Sequence, residues 1–279
     1  MLDPLDLARS LAADLITLPG VRAVALGGSR AAAIVNPAVP PDATSDIDLY
    51  AYTDADVPEV ARLAFVGRWN GGDRPALGAG TWGPGDEWRT PSGIVADVVH
   101  FGADWMADQV DRVLVRHEPS LGTSTCFWHT VGVSVALEDP TGWFGALQAR
   151  SRVPYPEPLR AAIVRYNHPV LRGIVPSWSE QVAKAAARGD LVSINHRLSG
   201  LVASVFDILF ALNRVAHPGE KRLLAIATER CPRLPVGFAA DLTELLETAT
   251  VDLAGLPSRV GRLLDRLDAL LVDEGLLPC

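Results

Sequence analysis

The chain has 279 residues, with 33 acidic and 25 basic side chains and a net charge of −8. Hydrophobic residues make up 48% and mean hydropathy is +0.18, enough apolar material for one large or two ordinary domains. No run of about 18 apolar residues occurs, so no membrane-spanning helix is expected. The acidic balance also disfavours nucleic acid, which requires a basic face.

Cys126, Cys231 and Cys279 are odd in number and widely spaced. That argues for reduced thiols in a cytoplasmic setting and against a zinc site. The opening Met-Leu-Asp-Pro-Leu-Asp is acidic and does not read as a signal peptide.

Asp3-Pro4 predicts a helix start, with Asp3 as N-cap and Pro4 in the first position. Leu7, Leu11, Leu15 and Leu18 then form one apolar stripe. Residues 21–26 read as a strand, and Gly27-Gly28-Ser29 as a tight turn opening a helix. A spacer with Pro37, Pro40 and Pro41 leads to a second strand that opens with Asp46-Ile47-Asp48-Leu49. Residues 57–67 suggest a helix. Residues 68–92, rich in Gly, Trp and Pro, suggest a long loop or broken hairpin over a site. Strand character returns at 93–101, with Asp97 interrupting an apolar run, and 104–115 reads as helix. Residues 127–137 are ambiguous between helix and strand, and 144–149 is helical.

Pro154 and Pro156 mark a domain boundary, giving domains 1–154 and 155–279. Beyond it the apolar period is helical throughout, consistent with five or six helices. Leu191, Ile194, Leu198, Leu201, Val205, Ile208 and Leu212 outline a long amphipathic helix, and Ser258 is expected to cap a last one. Pro218 suits the first position of another helix, which would put Lys221 and Arg222 in its first turn. The helix dipole is positive there, so cations are disfavoured unless an anion is bound. Arg112 and His117 loosely match the Arg-x4-His of helical ribonuclease-like domains, but they fall outside the expected helical half.

Residues two apart in a strand share a face, so Asp46 and Asp48 project together while Ile47 and Leu49 turn to the core. Adjacent carboxylates repel unless a cation lies between them, and hard divalent cations take oxygen ligands. Gly27 and Gly28 admit close backbone approach, and Ser29 opens a helix whose first N–H groups suit a phosphate. A lone Asp-x-Asp also occurs at solvated strand edges, but here the elements follow in order with strand character on both sides.

This arrangement resembles the nucleotidyltransferase superfamily related to DNA polymerase beta. Its signature is Gly-(Gly)-Ser, a spacer, then Asp-x-Asp in a strand, matched here at 26–29 and 46–49. The sixteen-residue spacer, 30–45, is longer than in compact members. The layout is similar to two-domain bacterial antibiotic nucleotidyltransferases. The resemblance implies an α/β plus α fold: a small mixed-sheet catalytic domain, then an α-helical bundle. It implies transfer of a nucleoside monophosphate, AMP from ATP, to a hydroxyl of a small acceptor such as an aminoglycoside. Asp46 and Asp48 would hold two magnesium ions. Asp97, on a neighbouring strand, would complete the metal site or act as general base. Gly27, Gly28, Ser29 and Arg30, with Lys221 and Arg222, would hold the phosphates. The alternatives are a nucleotidyltransferase-fold regulator acting on a protein partner, as in toxin–antitoxin pairs, and a nucleotide-binding module without turnover.

Overall fold

Helix α1 (Pro4–Leu15) begins as its sequence dictates: the Asp3 side chain accepts from the Leu5 N–H at 2.9 Å, and Pro4 occupies the first turn. Its Leu7, Leu11 and Leu15 are buried, each worth roughly 1.5–3 kcal/mol relative to exposure. The computed structural model describes residues 3–35, 45–79 and 84–278. Pro37, Pro40 and Pro41 of the spacer, and Trp82, lie outside the described residues. No described helix is long and apolar enough to cross a membrane.

The chain divides into two compact units. Unit 1 comprises Met1–Asp111 and Thr130–Val153; unit 2 comprises Arg112–His129 and Pro154–Cys279. Residues 112–129, which a single cut after residue 154 would leave in the first unit, therefore group with the C-terminal helices.

Unit 1 is built on a six-stranded mixed sheet. In chain order its elements after α1 are β1 (Val21–Leu26), α2 (Gly28–Val35), β2 (Ile47–Thr53), α3 (Glu59–Trp69), β3 (Ala76–Ala79), β4 (Gly85–Arg89), β5 (Val95–Gly102), α4 (Ala103–Leu114), α5 (Cys126–Val133), β6 (Val135–Glu138) and α6 (Trp143–Ser151). Helices α4 and α5 each cross a unit boundary. The sheet order is β3-β4-β5-β2-β1-β6. Strands β2 and β5 pair in parallel, and every other pair is antiparallel.

Alternation assigns the two faces. Ile47, Leu49, Ala51, Val24, Leu26, Ala96 and Val98 face a core closed by the α1 leucines and by Phe65 and Val66 of α3. Asp14 on α1 accepts from Trp69 Nε1 at 2.7 Å and pairs with Arg68, tying α1 to α3. On the other face, Tyr52 stacks on Phe144 of α6 at 4.9 Å.

Two open readings are resolved here. Within residues 68–92, β3 and β4 pair antiparallel, as the hairpin alternative requires, and extend the sheet past β5. A buried cluster holds it: Asp86 accepts from Arg62 and from the Gly78 N–H and pairs with His100 Nε2 at 3.0 Å. Burial alone would raise the Asp86 pKa; the His100 and Gly78 hydrogen bonds and the charges of His100 and Arg62 hold it below the usual range. The ambiguous 127–137 stretch resolves into both states, α5 and then β6.

Unit 2 packs α7 (Glu157–His168), a π-helical turn (Pro169–Gly173), α8 (Trp178–Ala187), α9 (Leu191–Leu212), α10 (Leu223–Arg230), α11 (Phe238–Thr248) and α12 (Leu256–Asp273). Helix α9 is its axis. From Ser204 to Leu212 every residue is buried, as expected of a helix surrounded by others. Asp190 caps it, accepting from Ser193 N at 3.0 Å. Helix α12 begins at Leu256, so Ser258 lies inside its first turn rather than capping it.

The helix expected from Pro218 starts only at Leu223. Residues 215–219 are irregular because His217 is buried, with its N–H bonded to Thr125 Oγ1 at 2.8 Å. Lys221 and Arg222 are exposed ahead of α10, and Arg222, its N-cap, has φ of +58°. The two residues therefore lie just ahead of the helix and not within its first turn.

Candidate active site

The strand–turn–helix at residues 21–35 forms as its residues require. Backbone N–H of Gly27 donates to the Asp48 carbonyl at 2.8 Å, and Gly28 has φ of +61°, which glycine adopts without a Cβ penalty. A Cβ on Gly28 would stand 1.9 Å from Asp48 Oδ2, and one on Gly27 would stand 2.3 Å from the Tyr50 ring. The turn is thus wedged against the side chains of β2. Helix α2 starts at once, so the N–H groups of its first turn point out of the turn beside Asp48, where an anion is favoured.

Gly28→Ala is expected to destabilise the fold by about 1–3 kcal/mol, because the new Cβ meets both the left-handed backbone and Asp48. Thermal denaturation checks this. An unchanged midpoint would mean that the turn is not wedged.

Across the sheet, Asp48 and Asp97 are direct Cα partners in the parallel β2–β5 ladder, so their side chains emerge side by side on one face. The Tyr50 phenol lies within reach of both: burial raises its pKa first, and the charges of Asp48 and Asp97 raise it further. Its hydroxyl is therefore a proton donor at any working pH. Asp46 stands just ahead of β2 and is exposed, so the strand opens one residue later than its sequence suggests. Arg30 reaches back to this point. Its Nε donates to the Asp46 carbonyl at 2.9 Å, and its Nη2 donates to the Ser45 carbonyl. It braces the start of β2 as well as bringing charge near the turn. Ser29 is exposed at the helix start.

Two residues join this face that the sequence did not single out. Tyr50 continues the alternation from Asp48, a signal that was available. Glu87 on β4 is the direct antiparallel partner of Asp97 and is exposed. Reading 68–92 as a long loop or broken hairpin left its strands unplaced, and a strand assignment is needed to give Glu87 a face. Asp48, Asp97 and Glu87 thus lie abreast on three neighbouring strands. Like charges directly opposite each other are destabilising.

Among the described residues, no three His, Cys, Asp or Glu side chains converge into a ready-made metal site. Lys221 and Arg222 belong to unit 2.

No protein-family model matches the chain, and no curated protein matches it. Among solved structures it is similar to a nucleotidyltransferase-like protein from Exiguobacterium sibiricum 255-15. The two share 14% identity, with a TM-score of 0.43, over 96% of this chain and 74% of that one.

Proposed function

We propose that the protein is a magnesium-dependent nucleotidyltransferase that moves AMP from ATP to a hydroxyl of a small acceptor, an aminoglycoside-like compound among the candidates. One observation carries this reading. The glycine turn opening α2 lies against Asp48, and Asp48 stands in register beside Asp97. A phosphate-favouring helix start and a carboxylate pair thereby share one location.

The donor set fits magnesium. It consists of carboxylate oxygens, and the absence of a side chain at Gly28 lets the Asp48 carboxylate pack directly against the turn. Magnesium is commonly held by one or two carboxylates plus substrate phosphates and water, so a complete protein cage is not required. Asp48 and Asp97 would hold it, with Asp46 alongside. When bound, it polarises the α-phosphate and eases ionisation of the attacking hydroxyl.

The protein's own groups do the rest. First-turn N–H groups of α2, at Gly28, Ser29 and Arg30, receive the outer phosphates. The Tyr50 O–H is available to donate to a phosphate oxygen. Asp97 takes the proton of the acceptor hydroxyl as general base. The acceptor oxygen bonds to the α-phosphorus, the bond from that phosphorus to the bridging oxygen breaks, and pyrophosphate leaves.

The test is pyrophosphate release from each nucleoside triphosphate, with magnesium, against a panel of hydroxyl and amino-sugar acceptors. Acceptor-dependent release from ATP is expected. No release with any pairing would remove the proposal.

A further inference from the structure

Arg30 joins the two halves of the site. Its Nε donates to the Asp46 carbonyl at 2.9 Å, and its Nη2 donates to the Ser45 carbonyl. Arg30 stands in the first turn of α2, and both carbonyls lie just ahead of β2. One guanidinium thereby fastens the helix that opens at the glycine turn to the strand that carries Asp48.

The two acceptors are not an arbitrary pair. The Ser45 carbonyl lies in the peptide plane before the Asp46 Cα, and the Asp46 carbonyl lies in the plane after it. Peptide units are planar, so the only soft rotations between these planes are φ and ψ of Asp46. Holding both planes against one rigid group fixes those rotations, and with them the direction of the Asp46 Cα–Cβ bond. The strand ladders begin too late to do this. Strand β2 starts at Ile47, which pairs with Ala96 of β5, and the register with β1 runs only to Leu49. Asp46 is exposed, so burial does not aim it either.

The residue type fits the task. Arginine presents its N–H donors in a rigid planar fork, whereas lysine carries one compact charge on a flexible stem. A lysine could bring its charge to one carbonyl but could not set two peptide planes relative to each other.

We propose that Arg30 is a positioning residue for Asp46: its side chain aims the Asp46 carboxylate at the magnesium that Asp48 and Asp97 would share, and is not itself a phosphate ligand. The proposal rests on the nucleotidyltransferase reading and adds to it a residue that acts on the metal through another. Partners that orient a metal ligand from behind are typically worth about 10–100-fold in metal affinity.

The experiment is calorimetric titration of the whole protein with an ATP analogue bearing a methylene bridge between its α and β phosphates, repeated over a series of magnesium concentrations. Wild type, Arg30→Lys, Asp46→Asn and the double variant are compared, each with its fold checked by circular dichroism. Arg30→Lys is expected to raise the magnesium concentration for half-maximal effect roughly tenfold, and to bind the analogue as wild type does once magnesium saturates. In the Asp46→Asn background the same change is expected to add less than about twofold, because its effect passes through the missing carboxylate. Should the analogue fail to bind wild type at any magnesium concentration, the nucleotidyltransferase reading fails. Should it bind, a wild-type magnesium requirement in Arg30→Lys would mean that charge alone suffices, and the positioning role falls. Affinity lowered equally at every magnesium concentration would make Arg30 a phosphate ligand and overturn the proposal. So would equal effects of Arg30→Lys with and without the Asp46 carboxylate. Unfolding of Arg30→Lys would show that the guanidinium serves the fold, with the same consequence.

Discussion

Asp48→Asn is expected to remove nearly all magnesium-dependent nucleotide turnover, by on the order of 10²–10³-fold or more, while leaving thermal stability unchanged or slightly raised. The two halves of this expectation have separate causes. Asp48 stands directly opposite Asp97, and such like-charged pairs are unfavourable by a few tenths of a kcal/mol up to ~1 kcal/mol. Neutralising one member relieves that repulsion in the absence of ligand. Asparagine keeps the shape that fits against Gly28, so the turn stays in place. What is lost is the negative oxygen that would hold the cation. Turnover and melting are measured on the same preparation. Wild-type turnover would remove Asp48 from the chemistry. A large fall in melting temperature would show that Asp48 serves the fold instead.

Asp207→Asn is expected to change how stability depends on pH, with an effect of a few kcal/mol between about pH 4 and 7. Asp207 is 1% exposed in the middle of α9. It accepts from Ser124 N–H at 3.0 Å and from Asn167 Nδ2 at 3.0 Å, and it contacts Ser124 Oγ at 2.6 Å. Ser124 Oγ has one hydrogen but two acceptors, Asp207 and the Ser120 carbonyl at 3.0 Å. A neutral Asp207 satisfies both: it donates to Ser124 Oγ, which donates on to Ser120. Burial accordingly lifts its pKa to about 7 against the opposing hydrogen bonds from Ser124, the charge of Arg112 and the hydrogen bond from Asn167. Cys126 and Tyr155 also feel its charge.

The sign follows from the raised value. Below the unfolded pKa near 4, both states hold the proton and the stabilisation is complete. As pH rises toward 7, the unfolded chain releases the proton more readily, and the stabilisation is lost. The introduced amide carries no such proton. Relative to wild type, Asp207→Asn should therefore gain in stability from pH 5 to pH 8. Parallel stability–pH curves for the two proteins would refute the assignment.

The sheet shows how far alternation reaches. The α1 stripe, β1, β2, β5 and α9 all follow local periodicity, so the sequence alone predicts them. Asp48 was legible from the Asp-x-Asp alternation after the glycine turn, and Asp97 because it interrupts an apolar run, where a carboxylate needs a reason. Glu87 was not legible, because β4 is short and its apolar content is low. It becomes a strand through pairing with β5 and through Asp86 bound to His100 and Arg62, which are distant in the chain. Lys221 was misplaced because a proline that suits a helix start was read without the buried His217 that holds the segment irregular.

By itself the sequence determined the strands and helices with strong periods, the glycine turn before the Asp-x-Asp strand, and the helical character after residue 155. Those features depend on neighbours a few residues apart, and a few residues are what a pattern records. Only the tertiary structure decided that Asp97 lies in register with Asp48, that Glu87 completes the row, and that residues 112–129 belong with the helical unit. Gly122 N–H binds Asn167 Oδ1 at 2.9 Å across 45 positions, and Ser124 binds Asp207 across 83. Hydrogen bonds of that span form because buried polar groups must find partners wherever the fold brings them, and no local period marks where that will be.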